Sequence, residues 1–361
     1  MSRSRCSVIF LPDWRDENPY LELLAKGLAH SGARVKFCNY PNTRFPLLST
    51  ALNHRDAGIL HIHWLNDYIK PALWGSGAIR FLAHSAILIS DVLLTRAMGV
   101  KVIWTVHNKL SHESSNQGRE TRLRRWLMNC VSDSVFHSKN AQDEVARFLQ
   151  LHVTSRSHVI PHGNYIDVYR DNPRRELTLA NELLIEEHHR VILFFGLLRR
   201  YKGVDRLLTA FRSITDDNVR LVIAGKPMDQ EVGQLVESFA KVDPRIKPLL
   251  GFIPDEDVAP LFRITDIAVV PFERTLSSGS AILALSMGNV LILPDTADVL
   301  DLPKSRGVLY YKDDQELLET LRSLNNSEVL ADMRRENLNA AREMDWQTIG
   351  KQTSAVYRCR R

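Results

Sequence analysis

Short runs of consecutive apolar residues alternate along this chain with longer stretches in which apolar residues recur every three or four positions. Runs of the first kind suit strands buried on both faces, and stretches of the second kind suit helices that lay one face on a core. Their alternation predicts a mostly parallel sheet covered by helices, the α/β class. In the first half the strand-like runs are CSVIFL, ARVKFCNY, GILHIHW (58–64), KVIWTVHN (101–108), DSVFHS (133–138) and SHVIPHG (157–163). Between the first two, Tyr20–His30 carries Leu21, Leu24, Ala25 and Leu28 on one helical face, and Gly32 ends the helix. The later runs end in polar or histidine-containing residues, at the edge where an open α/β sheet places its ligands.

The stretch Asp171–His189 has few apolar residues and separates the halves. A second series follows: RVILFFG (190–196), VRLVIAG (219–225), IKPLLGFI (246–253), DIAVVPF (266–272) and NVLILPD (289–295). Helices are expected at Val204–Ile214, Gln230–Ala240 and through most of Leu317–Tyr357, where Trp346, Ile349 and Val356 offer apolar anchors. The longest apolar stretch, Ala78–Leu94, is interrupted by Arg80, His84, Ser85 and Ser90. It falls short of a membrane span and reads as a buried helix with nearby loops.

Length and composition narrow this picture. A chain of 361 residues exceeds one ordinary hydrophobic core, so two domains of roughly 170 residues each are expected. Apolar content of 44% with 25% charged residues is that of a globular protein. The net charge of +5 is compatible with a phosphorylated ligand or an anionic membrane surface. The cysteines Cys6, Cys38, Cys130 and Cys359 form no CxxC pair and no zinc spacing, and Cys6 and Cys38 read as buried apolar residues in a reducing compartment. The basic start MSRSRC leads into a first strand rather than a signal peptide, which places the protein in the cytoplasm.

Candidate chemistry lies at two turns of the second half. Gly196 follows the strand-like VILFF and precedes Arg199, Arg200, Lys202 and Gly203 at a helix start. A tight turn, cations and helix-start amides suit a diphosphate and the charge that builds on a departing nucleoside diphosphate. Thr275, Ser277, Ser278, Gly279 and Ser280 precede a helix over Ala281–Met287 and suit a phosphate by the same geometry. Neither GxxxxGK[ST] nor GxGxxG is present, against an ATPase, a kinase or a standard NAD enzyme.

The first half supplies His61 and His63 on one strand face with Trp64 beside them, His107 after a strand, and His112 on the loop beyond. No HExxH or regular acidic ligand pattern accompanies them, so no metal site is expected, and imidazole serves as a hydrogen-bonding group or a base. Arg119, Arg122, Arg124, Arg125 and Trp126 start a basic helix that suits either solvent or anionic head groups. No aromatic platform pattern or zinc finger points to nucleic acid.

Taken in order, eight segments resemble the glycosyltransferases often grouped as family 4, of the GT-B fold. They are NPYLELLAKGL (18–28), LHIHWLND (60–67), WTVHNKLSHE (104–113), VIPHGNY (159–165), FGLLRRYKGVDRLL (195–208), LVIAG (221–225), GFIPDEDVAPLFRITDIAVVPF (251–272) and SSGSAILALSMGNVLILPD (277–295). They span nearly the whole chain, closest in flavour to bacterial enzymes of exopolysaccharide or glycolipid assembly. The resemblance implies two Rossmann-like domains facing across a cleft. Residues 1–170 would be the acceptor side, 171–335 the nucleotide-sugar side, and 336–361 a helix crossing back to the first domain. It implies transfer of a hexose from GDP-mannose or a UDP-hexose to a saccharide or lipid-linked saccharide. The transfer would need no metal and would take place at the inner face of the cytoplasmic membrane.

By that resemblance Lys202 matches the lysine that binds the donor diphosphate. The arginine usual after the glycine is Leu197 here, and Arg199 takes that role from two positions on. Gly196, Ser278, Gly279 and Ser280 join it on the donor side, with Lys226, Phe252 and Ile253 near the nucleoside. His107 matches a histidine near the donor sugar, and Asp16, Glu17, His61, His63, Trp64 and His112 fall on the acceptor side. The family commonly carries two glutamates eight positions apart, and these fall on Thr275 and Leu283. Glu273, the one glutamate in this stretch, reaches the donor only through a shifted loop. A β-mannosyltransferase-like subgroup shares the SGS loop and inverts the anomeric carbon, so retention and inversion both stay open. Inversion needs a first-domain base, with Asp13, Asp16, Glu17 and the histidines as candidates. A sugar-nucleotide epimerase and a non-catalytic partner subunit of the same fold are the alternatives, and the oligomeric state is left open.

Overall fold

The computed structural model describes residues 7–16, 18–73, 77–111, 116–273 and 275–357. Its contacts divide the chain into two compact units: Met1–Gly163 with Val299–Asp301 and Met344–Arg361, and Asn164–Asp298 with Leu302–Glu343.

In the first unit β1 (Ser7–Leu11), β2 (Arg34–Phe37), β3 (Ile59–Ile62), β4 (Lys101–Thr105), β5 (Asp133–Phe136) and β6 (Ser157–Val159) form a parallel sheet in the order β2-β1-β3-β4-β5-β6. Helices α1 (Tyr20–His30), α2 (Pro46–Asn53), α3 (Asn66–Leu73), α4 (Ala78–Ala97), α5 (Gln117–Cys130) and α6 (Lys139–Leu149) connect the strands. Strands β1 and β3 are buried along their whole length, as the unbroken apolar runs require. The direction of strand addition reverses between β1 and β3. Strand C-terminal ends at such a reversal border the crevice where open α/β sheets bind ligands.

In the second unit β7 (Arg190–Phe195), β8 (Val219–Gly225), β9 (Ile246–Leu250), β10 (Ile267–Val269), β11 (Val290–Pro294) and β12 (Val308–Tyr311) pair in parallel as β12-β11-β10-β7-β8-β9. Here the reversal lies between β7 and β10. The helices are α7 (Pro173–Glu182), α8 (Val204–Arg212), α9 (Gln230–Val242), α10 (Asp255–Arg263), α11 (Gly279–Met287), α12 (Asp314–Ser323) and α13 (Ser327–Arg342). Helix α11 is buried on all sides after Ser280, which its sequence AILALSM allows.

The last helix, α14 (Trp346–Tyr357), belongs to the first unit and packs on α1. The two backbones touch at Gly27 and Gly350. A Cβ on Gly27 would lie 2.1 Å from the Trp346 carbonyl oxygen, and one on Gly350 would lie 2.2 Å from the Gly27 carbonyl carbon. Only glycine fits this crossing.

Two expectations change. Ala78–Leu94 belongs to a 20-residue helix, α4, that is buried on one face only. Phe81, Leu88 and Val92 face inward, and buried Asp91 accepts the amides of Leu47 and Leu48 (2.9 and 2.8 Å) at the start of α2. The opposite face is exposed, and α4 is long and apolar enough by composition to cross a membrane. Cys38 is half-buried rather than buried.

Candidate functional site

The reversal point of the second sheet brings together two turns. After β7 the chain continues extended, with the Leu198 amide on the Lys226 carbonyl (2.9 Å) and the Met228 amide on the Leu198 carbonyl (2.9 Å). Arg200–Lys202 then forms one 3-10 turn, and Gly203 at φ +69° passes the chain into α8. A Cβ on Gly203 would sit 2.1 Å from the Pro271 carbonyl oxygen, and one on Gly196 would sit 2.8 Å from Ser280 Oγ. The Glu273 amide donates to the Tyr201 carbonyl (3.0 Å). Three ties therefore hold the β7 turn against the loop that follows β10.

That loop ends in the N-cap of α11. Ser278 is buried and its Oγ accepts the Ala281 amide (3.2 Å), while Ile282 bonds back to the Ser278 carbonyl. The amides of Gly279 and Ser280 remain at the helix start without a backbone or side-chain acceptor among the described residues. Such an end favours an anion by its free donors and by the helix dipole.

Lys202 ends the 3-10 turn after β7 on the same sheet edge, in strained electrostatic surroundings. Loss of hydration, and then the charge of Arg199, lower its pKa to about 8, and no carboxylate pairs with it among the described residues. Arg199 is half-buried, Leu197 is exposed, and Arg200 turns outward to pair with Glu231. Lys226 is exposed after β8, Phe252 is 77% exposed after β9, and Ile253 is half-buried beside it. Glu273 is exposed, its backbone close to Tyr201. Thr275 is half-buried and Leu283 buried, so no carboxylate occupies either position of the usual glutamate pair.

The first unit's sheet edge is of another kind. His63, His107, His137 and His162 follow the ends of β3, β4, β5 and β6, and all are buried with His61. Tyr20, the first residue of α1, lies within 4.9–5.6 Å of the rings of His63, His107, His137 and His162. Trp64 is half-buried and stacks on His107 at 4.9 Å and on Trp14 at 4.8 Å. Burial, and to a lesser degree neighbouring imidazoles, push His61 and His162 down to about 3 and hold His63 and His107 well below the usual value. Burial likewise takes His137 to about 4. All five are neutral near pH 7.

The hydrogen bonds divide these histidines. His61 is saturated by Tyr357 Oη (2.6 Å) and Thr105 Oγ1 (2.7 Å), so it ties α14 to the sheet and offers nothing outward. His63 is buried between Phe10, His61 and Tyr20 and has no hydrogen-bond partner among the described residues. His137 Nδ1 meets the Ile160 carbonyl (3.1 Å), which only accepts, so the proton sits on Nδ1 and Nε2 is an acceptor. His107 Nδ1, 3.3 Å away, then donates to it, and His107 Nε2 carries a lone pair. The residue after this strand end is held from below. Buried Glu120 accepts from Arg124 (2.7 Å) and from the Ser111 amide (2.7 Å), and Arg124 reaches the Asn108 carbonyl (3.3 Å). Arg124 is therefore an internal cation, unlike Arg122 on the same helix, which is exposed.

Asp13 follows β1 and pairs with Arg15 at 2.8 Å, which keeps its carboxyl below the usual range. Asp16 is exposed nearby. Glu17 and His112 lie outside the described residues. Sequence reasoning left out Trp14, Tyr20, His137 and His162. The signal was a histidine just past the ends of four strands that prove adjacent in the sheet.

Residues 189–327 match the family model described as glycosyl transferases group 1. Over 283 residues the chain is 28% identical to a GDP-mannose:glycolipid 4-beta-D-mannosyltransferase of Xanthomonas campestris pv. campestris, covering 77% of this chain and 70% of that one. It is 24% identical over 324 residues to a D-inositol 3-phosphate glycosyltransferase of Corynebacterium glutamicum, covering 81% and 72%. Among solved structures, Anabaena Alr3699/HepE in complex with UDP and glucose superposes with a TM-score of 0.74 at 14% identity, over 97% of this chain and 98% of that one. Sucrose-phosphate synthase from Thermosynechococcus elongatus gives 0.74 at 14%, over 98% of both. Two six-stranded parallel sheets, a group 1 domain built on the second of them and these relatives lead to one conclusion: the chain is a glycosyltransferase of the GT-B fold.

Proposed function

We propose that the enzyme moves mannose from GDP-mannose to a saccharide or lipid-linked saccharide in bacterial polysaccharide or glycolipid synthesis, at the inner face of the cytoplasmic membrane. The observation that carries the donor side is Lys202, a lysine held against its own hydration and against Arg199 with no paired carboxylate. A cation in that setting is stabilised by an arriving anion. The Gly279 and Ser280 amides, the Gly196 turn and Ser278 lie on the same edge, and together they suit the two phosphates of a nucleoside diphosphate. Arg199 and Lys202 would balance the charge of the departing GDP, which a metal ion does in other enzymes, so the transfer is read as metal-independent. Lys226, Phe252 and Ile253 would meet the nucleoside, and Glu273 the donor sugar or ribose.

Mannose is favoured by the activity of the Xanthomonas relative, a 4-beta-D-mannosyltransferase that uses GDP-mannose. GDP-mannose is an α-glycoside, so a β product requires inversion, and inversion fits the loss of the glutamate pair at Thr275 and Leu283. The first unit would supply the acceptor side. The half-buried Trp14, stacked on Trp64, would offer its ring to the apolar face of a pyranose, and the lone pair on His107 Nε2 suits a sugar hydroxyl. Asp16, Glu17 and His112 are the remaining acceptor-side candidates. Asp13, paired with Arg15, is a weak base and a better hydrogen-bond acceptor.

Incubation with GDP-mannose or UDP-hexoses, with and without lipid-linked oligosaccharide, tests the reading. GDP release that depends on acceptor, with a β-mannosyl product by NMR, is expected. Turnover with UDP-glucose alone would move the donor to the UDP-hexose reading, and turnover with neither donor would overturn it.

A further inference from the structure

Helix α4 carries an apolar face that the fold does not use. Ile79, Leu82, Ala83, Ala86, Leu93 and Leu94 step by three or four residues, or by seven across Ser90, and all are exposed, Ile79 by 85%. That spacing makes one continuous stripe along a helix, and 20 residues give it a length of about 30 Å. The other face is committed to the unit through Phe81, Leu88, Val92 and Asp91, so α4 cannot leave the protein to cross a bilayer.

The charges exposed on α4 and on α5 have one sign. Helix α5 lies alongside: Trp126 stacks on Phe81 at 6.1 Å, Arg119 sits over Phe81 at 5.7 Å, and Arg96 of α4 donates to the Cys130 carbonyl at 2.5 Å. Arg80 flanks the stripe and Arg122 follows Arg119 by one turn, both exposed. Each helix has a single acidic residue, Asp91 on α4 and Glu120 on α5, and both are buried. An exposed apolar ridge flanked by cations, with no exposed carboxylate on either helix, is complementary to an anionic lipid surface. A second copy of the chain is disfavoured, because a two-fold contact would bring the same cations together.

We infer that α4 lies flat in the head-group region of an anionic bilayer, its stripe in the acyl boundary and the arginines of α4 and α5 on lipid phosphates. This adds a lipid partner to the proposed function and rests on its membrane placement. Binding is measured without donor or acceptor, so the two can fail separately.

The test is co-sedimentation of the full chain with vesicles of phosphatidylcholine alone or with phosphatidylglycerol. The wild type should bind the anionic vesicles at least about tenfold more tightly, and less so in high salt. Leu82→Asp/Leu93→Asp should lose at least about tenfold, and Arg80→Glu/Arg122→Glu should lose the preference for anionic lipid. An unchanged circular dichroism spectrum and unchanged GDP titration would show that both variants are folded. Equal binding to both vesicles, binding by the stripe variant as tight as wild type, or a dimer that the stripe variant turns into a monomer would overturn the inference.

Discussion

The same architectural position is filled in opposite ways in the two units. Where the first sheet ends, five neutral imidazoles and Tyr20 pack almost wholly out of water beside two half-buried tryptophans. Where the second sheet ends, turns of glycine, serine and helix-start amides share the edge with a lysine that lacks a counter-charge among the described residues. The first edge has most of its hydrogen bonds inside the protein, as at His61, His137 and His162. The second keeps donors unspent. An edge of the first kind contributes to stability, and one of the second kind holds its binding energy in reserve for a ligand. Substitutions at the first should therefore be read in unfolding, and those at the second in affinity.

Acid should separate the two most strongly. The buried histidines have folded pKa values below the unfolded value of 6.5, so the unfolded chain binds more protons in the window between. Stability is then complete above about pH 6.5 and falls as the pH drops, with His137 alone worth about 3 kcal/mol by pH 4. All six tryptophans lie in the first unit, so denaturant unfolding followed by their fluorescence reports on that unit directly. A midpoint independent of pH between 6.5 and 4 would break the comparison. Next in size, Arg124→Met removes the charge that neutralises buried Glu120 and should cost about 3–5 kcal/mol in the same measurement. A loss below about 1 kcal/mol would mean that the loop after His107 is held by other contacts. The smallest effect expected is that of Tyr357→Phe, which removes one partner of His61 and should cost about 1 kcal/mol. Unchanged stability there would show that α14 is held by its packing on α1 alone.

Much of this contrast was visible along the chain, and the invisible part has a physical reason. The apolar runs marked both sheets, because strands of a parallel sheet are buried on both faces. The run VLYY at Val308–Tyr311 escaped notice because β12 is an edge strand and only Tyr311 is fully buried. The strand–turn–helix passages at Gly196–Gly203 and Ser277–Ser280 could be read from residue type, since glycine and small hydroxyl residues there have few other uses. Their mutual contact through Pro271 and Ser280 depends on the strand order β10-β7, which no local pattern reveals. Histidine identity was legible, but burial was not: His61 and His63 share a strand face as their spacing requires, and that face points into the unit. Helix α4 misled for a related reason, since a helix with apolar residues on both faces does not say which face is covered.

The central claim is that the second edge binds a diphosphate through Lys202. Calorimetric titration of GDP into the wild type and Lys202→Ala, from pH 7 to pH 9, tests it most directly. Lys202→Ala should weaken binding by about 1.5–3 kcal/mol, roughly 10- to 150-fold, without lowering the stability of the free protein. Wild-type affinity should fall as the pH rises through about 8, where the free lysine loses its proton, and the variant should lack that step. Equal affinity in the two proteins at pH 7, or a pH step that survives the substitution, would contradict the account.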